Sequence, residues 1–260
     1  MNLKNKKVWL GGGVGNKLFQ LAYCFENNYT AIYPNKSEKI SELTLGWSRH
    51  KDWLNILSIK AIVKIRNENV VDLICLPLLF LLGKKSNDYY IPECSYSIFC
   101  YEFGYFQHSK SISITSIEKV CIEVINKISW QPDTNNYSVF HFRGGDFLHE
   151  NSLLQSGELV DSFLSDKREQ LIVTNDVHTL GRLYPECRGL VAEGKSEVED
   201  FKVLSNAKVV YVNDSTFLFW AVAIGVLNGK TTKVIISKGN NLLPLYAMIC
   251  DNKCILEEVL

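Results

Sequence analysis

Between residues 137 and 237, short apolar runs rich in β-branched residues alternate with stretches of helical periodicity, and this alternation leaves few architectures open. The strand-like runs are 137–142, 170–174, 207–212 and 233–237, with a weaker one at 189–192. Helical stretches fall near 158–168, 176–184, 197–205 and 216–227. Strands separated by helices of this length predict a parallel sheet with crossover helices. Such a sheet binds ligands at the carboxyl ends of its strands. Arg143, the run Thr174 to Asp176 and the run Asn213 to Thr216 all fall at those ends.

The first of these strands runs straight into His141-Phe-Arg-Gly-Gly-Asp-Phe147. Gly144 and Gly145 let the backbone approach a ligand closely, and Arg143 offers a forked cation suited to phosphate oxygens. The same residues also read as an ordinary strand-end turn with a surface arginine and Asp146 as a cap. A second glycine-rich turn, Lys7-Val-Trp-Leu-Gly-Gly-Gly-Val-Gly-Asn-Lys-Leu-Phe-Gln-Leu-Ala22, has the order strand, loop, helix. It is not a dinucleotide fingerprint, because the third glycine position holds Asn16, and without Gly-Lys-Ser/Thr it is not a P-loop. Its glycines permit close backbone approach, and Asn16 either caps the helix or hydrogen-bonds a ligand.

A chain of 260 residues is long enough for two domains. With 28 basic and 28 acidic residues, its zero net charge excludes the electrostatic footprint of a nucleic-acid binder. The 8 cysteines show no CxxC pairing, which argues against a zinc ribbon, and Cys250 and Cys254 read as one face of a terminal helix. A charged N-terminus passing directly into the glycine-loop strand predicts no signal peptide, hence a reducing cytoplasm with free thiols.

The N-terminal part predicts a strand at 7–10, a helix at 16–27, a strand at 29–33, helices near 51–66 and 70–82, and a helix over 112–128. Segment 70–83 is apolar apart from Asp72, too short to span a bilayer and interrupted by Pro77. Two readings stand: a buried core helix, or a patch flanked by Lys60, Lys64, Arg66, Lys84 and Lys85 that makes peripheral contact with an anionic membrane surface.

Taken together, the segments resemble the inverting α-1,2-fucosyltransferase family of glycan synthesis, and more distantly the α-1,6- and protein O-fucosyltransferases. The family's GGLGNQLFQYA-like opening appears as GGGVGNKLFQLA at 11–22, and its GYFQ as Gly104-Tyr-Phe-Gln107. Its HxRRGDY is His141 to Phe147, its F-S-D-D is Val173-Thr-Asn-Asp176, and its S-N-S-T-F-S-W-W is Val212 to Trp220. The match runs in order from residue 8 to about residue 225. One departure stands out: the second arginine of the family motif is Gly144 here.

This resemblance implies an α/β fold of GT-B type, with two Rossmann-like domains facing a cleft. Residues 1–130 would form the acceptor-side domain and 131–245 the nucleotide-sugar domain, with a hinge at 130–136. The tail 246–260 would pack back on the N-terminal domain. It implies a GDP-fucose donor, an oligosaccharide or lipid-linked glycan acceptor, no cofactor, and work at the cytoplasmic membrane's inner face. The implied nucleotide-binding residues are Gly12, Gly13, Gly15, His141, Arg143, Gly145, Asp146, Asn175, Asp176, Asn213, Ser215, Thr216 and Phe217. Arg143 and Asn16 are the candidate catalytic residues, with His149 or Glu150 as general base. Ser215 and Thr216 also read as a plain N-cap, and His141 as a buttress of the loop.

No two aspartates stand two apart, so the Asp-x-Asp pair with which other glycosyltransferases hold a divalent ion is missing. Diphosphate charge would then be balanced by Arg143, the glycine-loop amides and the hydroxyls of Ser215 and Thr216. Because Gly144 alters the pocket, the donor is fucose or another GDP-6-deoxyhexose such as colitose. A non-catalytic binding module is the remaining alternative.

Overall fold

The computed structural model describes residues 6–33, 63–67, 69–75, 95–98, 100–144, 157–192 and 196–259. The chain divides into two compact units, Met1–Ile128 and Ser129–Leu260. Each is α/β.

The first unit contains β1 (Lys7–Trp9), α1 (Val14–Asn27), β2 (Thr30–Tyr33), β3 (Lys64–Asn67), β4 (Ser95–Ile98), β5 (Tyr101–Gly104) and α2 (Ile114–Ile128). Its sheet order is β3-β2-β1-β5-β4, parallel except for the antiparallel edge strand β4. Strand order reverses between β1 and β5, which is where open sheets of this kind form a crevice at their carboxyl edge. Helix α1 buries Leu18, Phe19, Leu21 and Ala22. It ends at Asn28, whose φ of 54° and N–H bonds to the Cys24 and Phe25 carbonyls make a left-handed cap.

One N-terminal expectation changes. The helix expected to run to residue 66 is replaced at Lys64–Asn67 by strand β3, paired along its length with β2, and the remainder of that stretch lies outside the described residues. Ladder bonding to β2 overrides the local periodicity. Of the segment 70–83, residues 70–75 are helical and the rest lies outside the described residues. Asp72, the polar exception in that run, is fully buried. It accepts from Arg66 at 2.8 Å, from the Tyr101 hydroxyl at 2.7 Å and from the Asn69 amide at 2.7 Å. Burial opposes its charge, yet these donors prevail and hold the carboxyl down at about 2. Val70, Val71 and Ile74 remain exposed. No helix among the described residues is long and apolar enough to cross a membrane.

The second unit contains β6 (Tyr137–Phe142), α3 (Gly157–Leu164), β7 (Glu169–Thr174), α4 (Val177–Leu183), α5 (Glu197–Asn206), β8 (Val209–Val212), α6 (Thr216–Leu227), β9 (Lys233–Ser237), α7 (Leu243–Cys250) and β10 (Ile255–Val259). Its five strands are all parallel, in the order β10-β9-β8-β6-β7. Every residue of the interior strand β6 is buried. Phe140, Phe142, Phe163, Ile172, Val209 and Tyr211 build the core on one face. Helix α6 is buried from Leu218 to Val226, which its uniformly apolar sequence permits only in a central position.

Two further expectations are corrected here. Residues 189–192 are not a strand: Pro185–Leu190 form a 3-10 turn, and only Val191 bridges to Ile172. Cys254 does not continue a terminal helix, because α7 ends at Cys250 and the chain turns into β10. Within the tail, Ile255–Val259 is an edge strand of the second sheet. Its charged Ile-Leu-Glu-Glu-Val sequence carries a weak strand signal, and pairing with β9 over Ile255 to Val259 creates the strand. Residues 130–135 of the polar stretch are bonded to the second unit. Trp130 Nε1 donates to Ser205 Oγ at 2.8 Å, the Asp133 amide to Asn206 Oδ1 at 3.0 Å, and Lys230 Nζ to the carbonyls of Asp133 and Asn135.

Candidate functional site

In the second unit, strand order reverses between β6 and β8, and a sheet of this order binds its ligand outside the carboxyl ends of those two strands. Arg143 and Gly144 follow β6 directly, and Asn213 to Ser215 follow β8. Asn213 Nδ2 donates to the His141 carbonyl at 2.7 Å, tying the two strand ends together. The Gly144 amide donates to Asn175 Oδ1 at 3.0 Å, which adds the end of β7. Ser215 is the N-cap of α6, its hydroxyl accepting from the Leu218 amide at 3.4 Å, so Thr216 opens the helix with its amide end at the same edge. The structure thus brings His141, Arg143, Asn175, Asp176, Asn213, Ser215, Thr216 and Phe217 to one edge of one sheet. Gly145, Asp146, His149 and Glu150 lie outside the described residues.

Among the described residues, two buried atoms at this edge find no hydrogen-bond partner: His141 Nδ1 and Asn213 Oδ1. A buried polar group without a partner costs about 1–3 kcal/mol, a cost that a ligand or water at the strand ends relieves. Burial, with Arg143 adding repulsion, pushes His141 down to about 3. The imidazole is therefore neutral across the physiological range. Its ring lies 6.0 Å from that of Phe217, and its place is that of a loop buttress.

Gly144, the departure from the family motif, has a steric cause. A β-carbon placed there would lie 2.7 Å from Asp176 Oδ2 and 2.9 Å from its Cγ. Asp176 is itself fixed as the N-cap of α4, accepting from the Thr179 amide at 2.9 Å. Where the family pattern has a second cation, this chain has a carboxylate lying over a glycine.

In the first unit, the glycine loop follows β1 and Gly104-Tyr-Phe-Gln107 follows β5, the pair of strands at which order reverses. Gln20, fully buried, joins them: its Oε1 accepts from the Gly11 amide at 2.9 Å and its Nε2 donates to the Gly104 carbonyl at 2.9 Å. Asn16 is not the cap of α1. Gly13 holds the N-cap position without a side-chain bond, and Asn16 Oδ1 instead accepts from Gln107 Nε2 at 2.7 Å. Gly12 has a φ of +78°, and a β-carbon there would lie 2.6 Å from Asn16 Nδ2, so both backbone and space require glycine. Gly15 is buried in the first turn of α1.

Sequence reasoning passed over Gln20, whose role needs two segments far apart in the chain, and Asp200. In the first turn of α5, Asp200 is pushed up to about 6 by burial, with Glu197 and Glu199 adding repulsion. A folded-state value above the unfolded one means that the native state binds the proton more tightly. That stabilisation is complete below about pH 4 and is lost as pH rises through about 6. Asp200→Asn should therefore flatten stability between pH 4.5 and 7, by no more than about 3 kcal/mol. Urea unfolding of both proteins at the two pH values measures this, and an unchanged slope would refute it.

Among the described residues, no group of three or more His, Cys, Asp or Glu is placed to hold a metal ion. Cys24, Cys75, Cys100, Cys121, Cys187, Cys250 and Cys254 are free.

No family model matches the chain, and no curated protein matches it. Among solved structures, the fucosyltransferase NodZ from Bradyrhizobium overlaps at a TM-score of 0.45 and 12% identity, covering 85% of this chain and 94% of that one. NodZ α-1,6-fucosyltransferase co-crystallized with GDP gives 0.41 and 12%, over 85% and 93%. The same enzyme soaked with GDP-fucose gives 0.42 and 12%, over 91% and 96%. Scores of this size do not establish a common fold.

Proposed function

We propose that the chain is a metal-independent inverting glycosyltransferase that moves L-fucose from GDP-fucose to a hydroxyl, O-2 of a galactose, of a glycan or lipid-linked oligosaccharide. The observation that carries this reading is the convergence of Arg143, the Gly144 amide, Asn213 and the amide end of α6 at the β6/β8 reversal of a parallel sheet. A forked cation beside a helix N-terminus suits a diphosphate. The ordered resemblance of five segments to α-1,2-fucosyltransferases supplies the donor and the linkage.

In the reaction, the acceptor oxygen attacks the anomeric carbon and the bond to the diphosphate oxygen breaks. The acceptor proton passes to a base, for which His149 and Glu150 are the candidates, and GDP leaves. Arg143 and the helix amides offset the charge that grows on the departing diphosphate. Asn16 serves as a ligand-facing amide on the acceptor side. The reaction is placed in the cytoplasm, and residues 70–83 either form a core helix or make peripheral contact with the membrane. Gly144 favours a second reading in which the donor is another GDP-6-deoxyhexose such as colitose, because Asp176 stands over the position of the second arginine.

A panel of nucleotide sugars, scored by thermal shift and then by GDP release with and without galactoside acceptors, tests the proposal. Stabilisation by GDP-fucose and acceptor-dependent release support it. Response only to another GDP-sugar transfers it to the second reading, and binding without release identifies a non-catalytic module. Turnover should persist in excess EDTA. A strict requirement for Mn²⁺ or Mg²⁺, restored on adding the ion back, would overturn the metal-free mechanism.

A further inference from the structure

Where α7 gives way to β10, two cysteines stand four residues apart. Cys250 is the last residue of the helix, and its carbonyl accepts from the Lys253 amide at 2.9 Å and from the Cys254 amide at 3.1 Å. A turn closed by such a bond brings its end α-carbons to roughly 6 Å, inside the range that a disulfide spans. Asn252, with a φ of 54°, turns the chain within it, and the Ile255 amide then joins the Thr232 carbonyl at 3.0 Å. Both ends of the turn are thereby held, one by the helix and the other by the sheet. The two thiols are hydrogen-bonded to each other. That bond, opposed by burial, holds the Cys254 thiol below its ordinary value, and together with burial it pushes the Cys250 thiol up.

Exposure divides their roles. Cys250 is 3% exposed, whereas Cys254 is half-buried. A thiol reacts as its thiolate and only where a reagent reaches it. The geometry points to a reversible thiol–disulfide site at Cys250 and Cys254, whose co-reactant is a small-molecule disulfide. The Cys254 thiolate attacks one sulfur of the disulfide RSSR, forming a mixed disulfide and expelling RS⁻. The Cys250 thiol, losing its proton to an expelled thiolate, then attacks the Cys254 sulfur; the Cys250–Cys254 bond forms and a second RS⁻ leaves. Two thiols have lost two electrons and two protons, and RSSR has become two RSH. Excess thiol reverses both steps. The bond clamps the start of β10, an edge strand paired on one side, to α7, whose Tyr246 ring packs on Phe219 of α6. None of this depends on the glycosyltransferase reading.

Lys253 stands between the two cysteines, so trypsin separates them into the peptide 239–253 and the peptide that begins at Cys254. After the native full-length chain is incubated with glutathione disulfide and quenched with N-ethylmaleimide, these two peptides should be recovered joined and should part on reduction. The buried thiols of Cys24, Cys121 and Cys187 should be lost at least about tenfold more slowly. Cys250→Ser, or Cys250→Ala should the serine variant not fold, should stop at a glutathione adduct on Cys254, and Cys254→Ser should leave Cys250 unmodified. Wild-type protein that accumulates only the Cys254 adduct, or that joins Cys254 to other cysteines as readily as to Cys250, would overturn the assignment.

Hydrogen exchange reads the clamp separately. An edge strand opens locally, and tying down its first residue should slow exchange of the Ile255–Val259 amides about threefold in the oxidised protein. Unchanged exchange in a fully joined sample would overturn the clamp.

Discussion

Replacing Arg143 by alanine should weaken GDP binding by about 2–3 kcal/mol, the worth of a charge-assisted pair, or roughly 30- to 150-fold in Kd. Arg143 stands one residue beyond a fully buried strand and beside the reversal point of the sheet, so the variant removes a charge without opening the core. Folding should be retained. His141, held neutral, contributes no charge near pH 7, so any change in that loss between pH 6 and 8 should follow the terminal phosphate of GDP and not the imidazole. Calorimetric titration with GDP measures both points. Unchanged affinity in a folded variant would remove the diphosphate from the β6/β8 edge and with it the main support for the proposed function.

Gly144→Arg, which restores the second arginine of the family pattern, should destabilise the second unit instead of strengthening nucleotide binding. Any β-carbon at 144 meets Asp176, and Asp176 can yield only by giving up the cap of α4. Overpacking costs about 1–3 kcal/mol and loss of an N-cap about 0.5–2 kcal/mol, so a combined loss of roughly 2–4 kcal/mol is expected. Gly144→Ala should show the steric part alone. Adding Asp176→Gly, which removes the β-carbon that stands nearest to position 144, to Gly144→Arg should recover the overpacking and leave the cap loss, a non-additive cycle that urea unfolding resolves. If Gly144→Arg unfolds with the wild-type midpoint and slope, Asp176 moves aside freely and the steric account of this departure fails.

Much of the second unit was legible in the chain. Strands β6, β7, β8 and β9 and helices α4, α5 and α6 stand within a few residues of where apolar periodicity puts them, because their patterns reflect one buried face or two. Asn175, Asn213 and Ser215 were legible as strand-end residues for the same reason. Strands β3, β4, β5 and β10 were not. Lys64–Asn67 and Ile255–Val259 are half charged or polar, and each exists because a neighbouring strand supplies its hydrogen bonds. Asn16 stands at the start of a helix as expected, but it does not cap that helix, and its side-chain partner Gln107 lies 91 residues away.

The sequence by itself determined that this chain is α/β, that glycine turns follow its strands, and that Arg143 and Asn213 to Thr216 stand at strand ends. These follow from periodicity and local backbone chemistry, which act over a few residues. Only the tertiary structure decided the order of the strands, and hence that β6 meets β8 and β1 meets β5 at the two reversals. It alone decided that Asp176 fills the space a second arginine would need, and that Gln107 and Gln20 hold the glycine loop. Those outcomes depend on hydrogen bonds and excluded volume between residues distant in the chain, which no local pattern encodes.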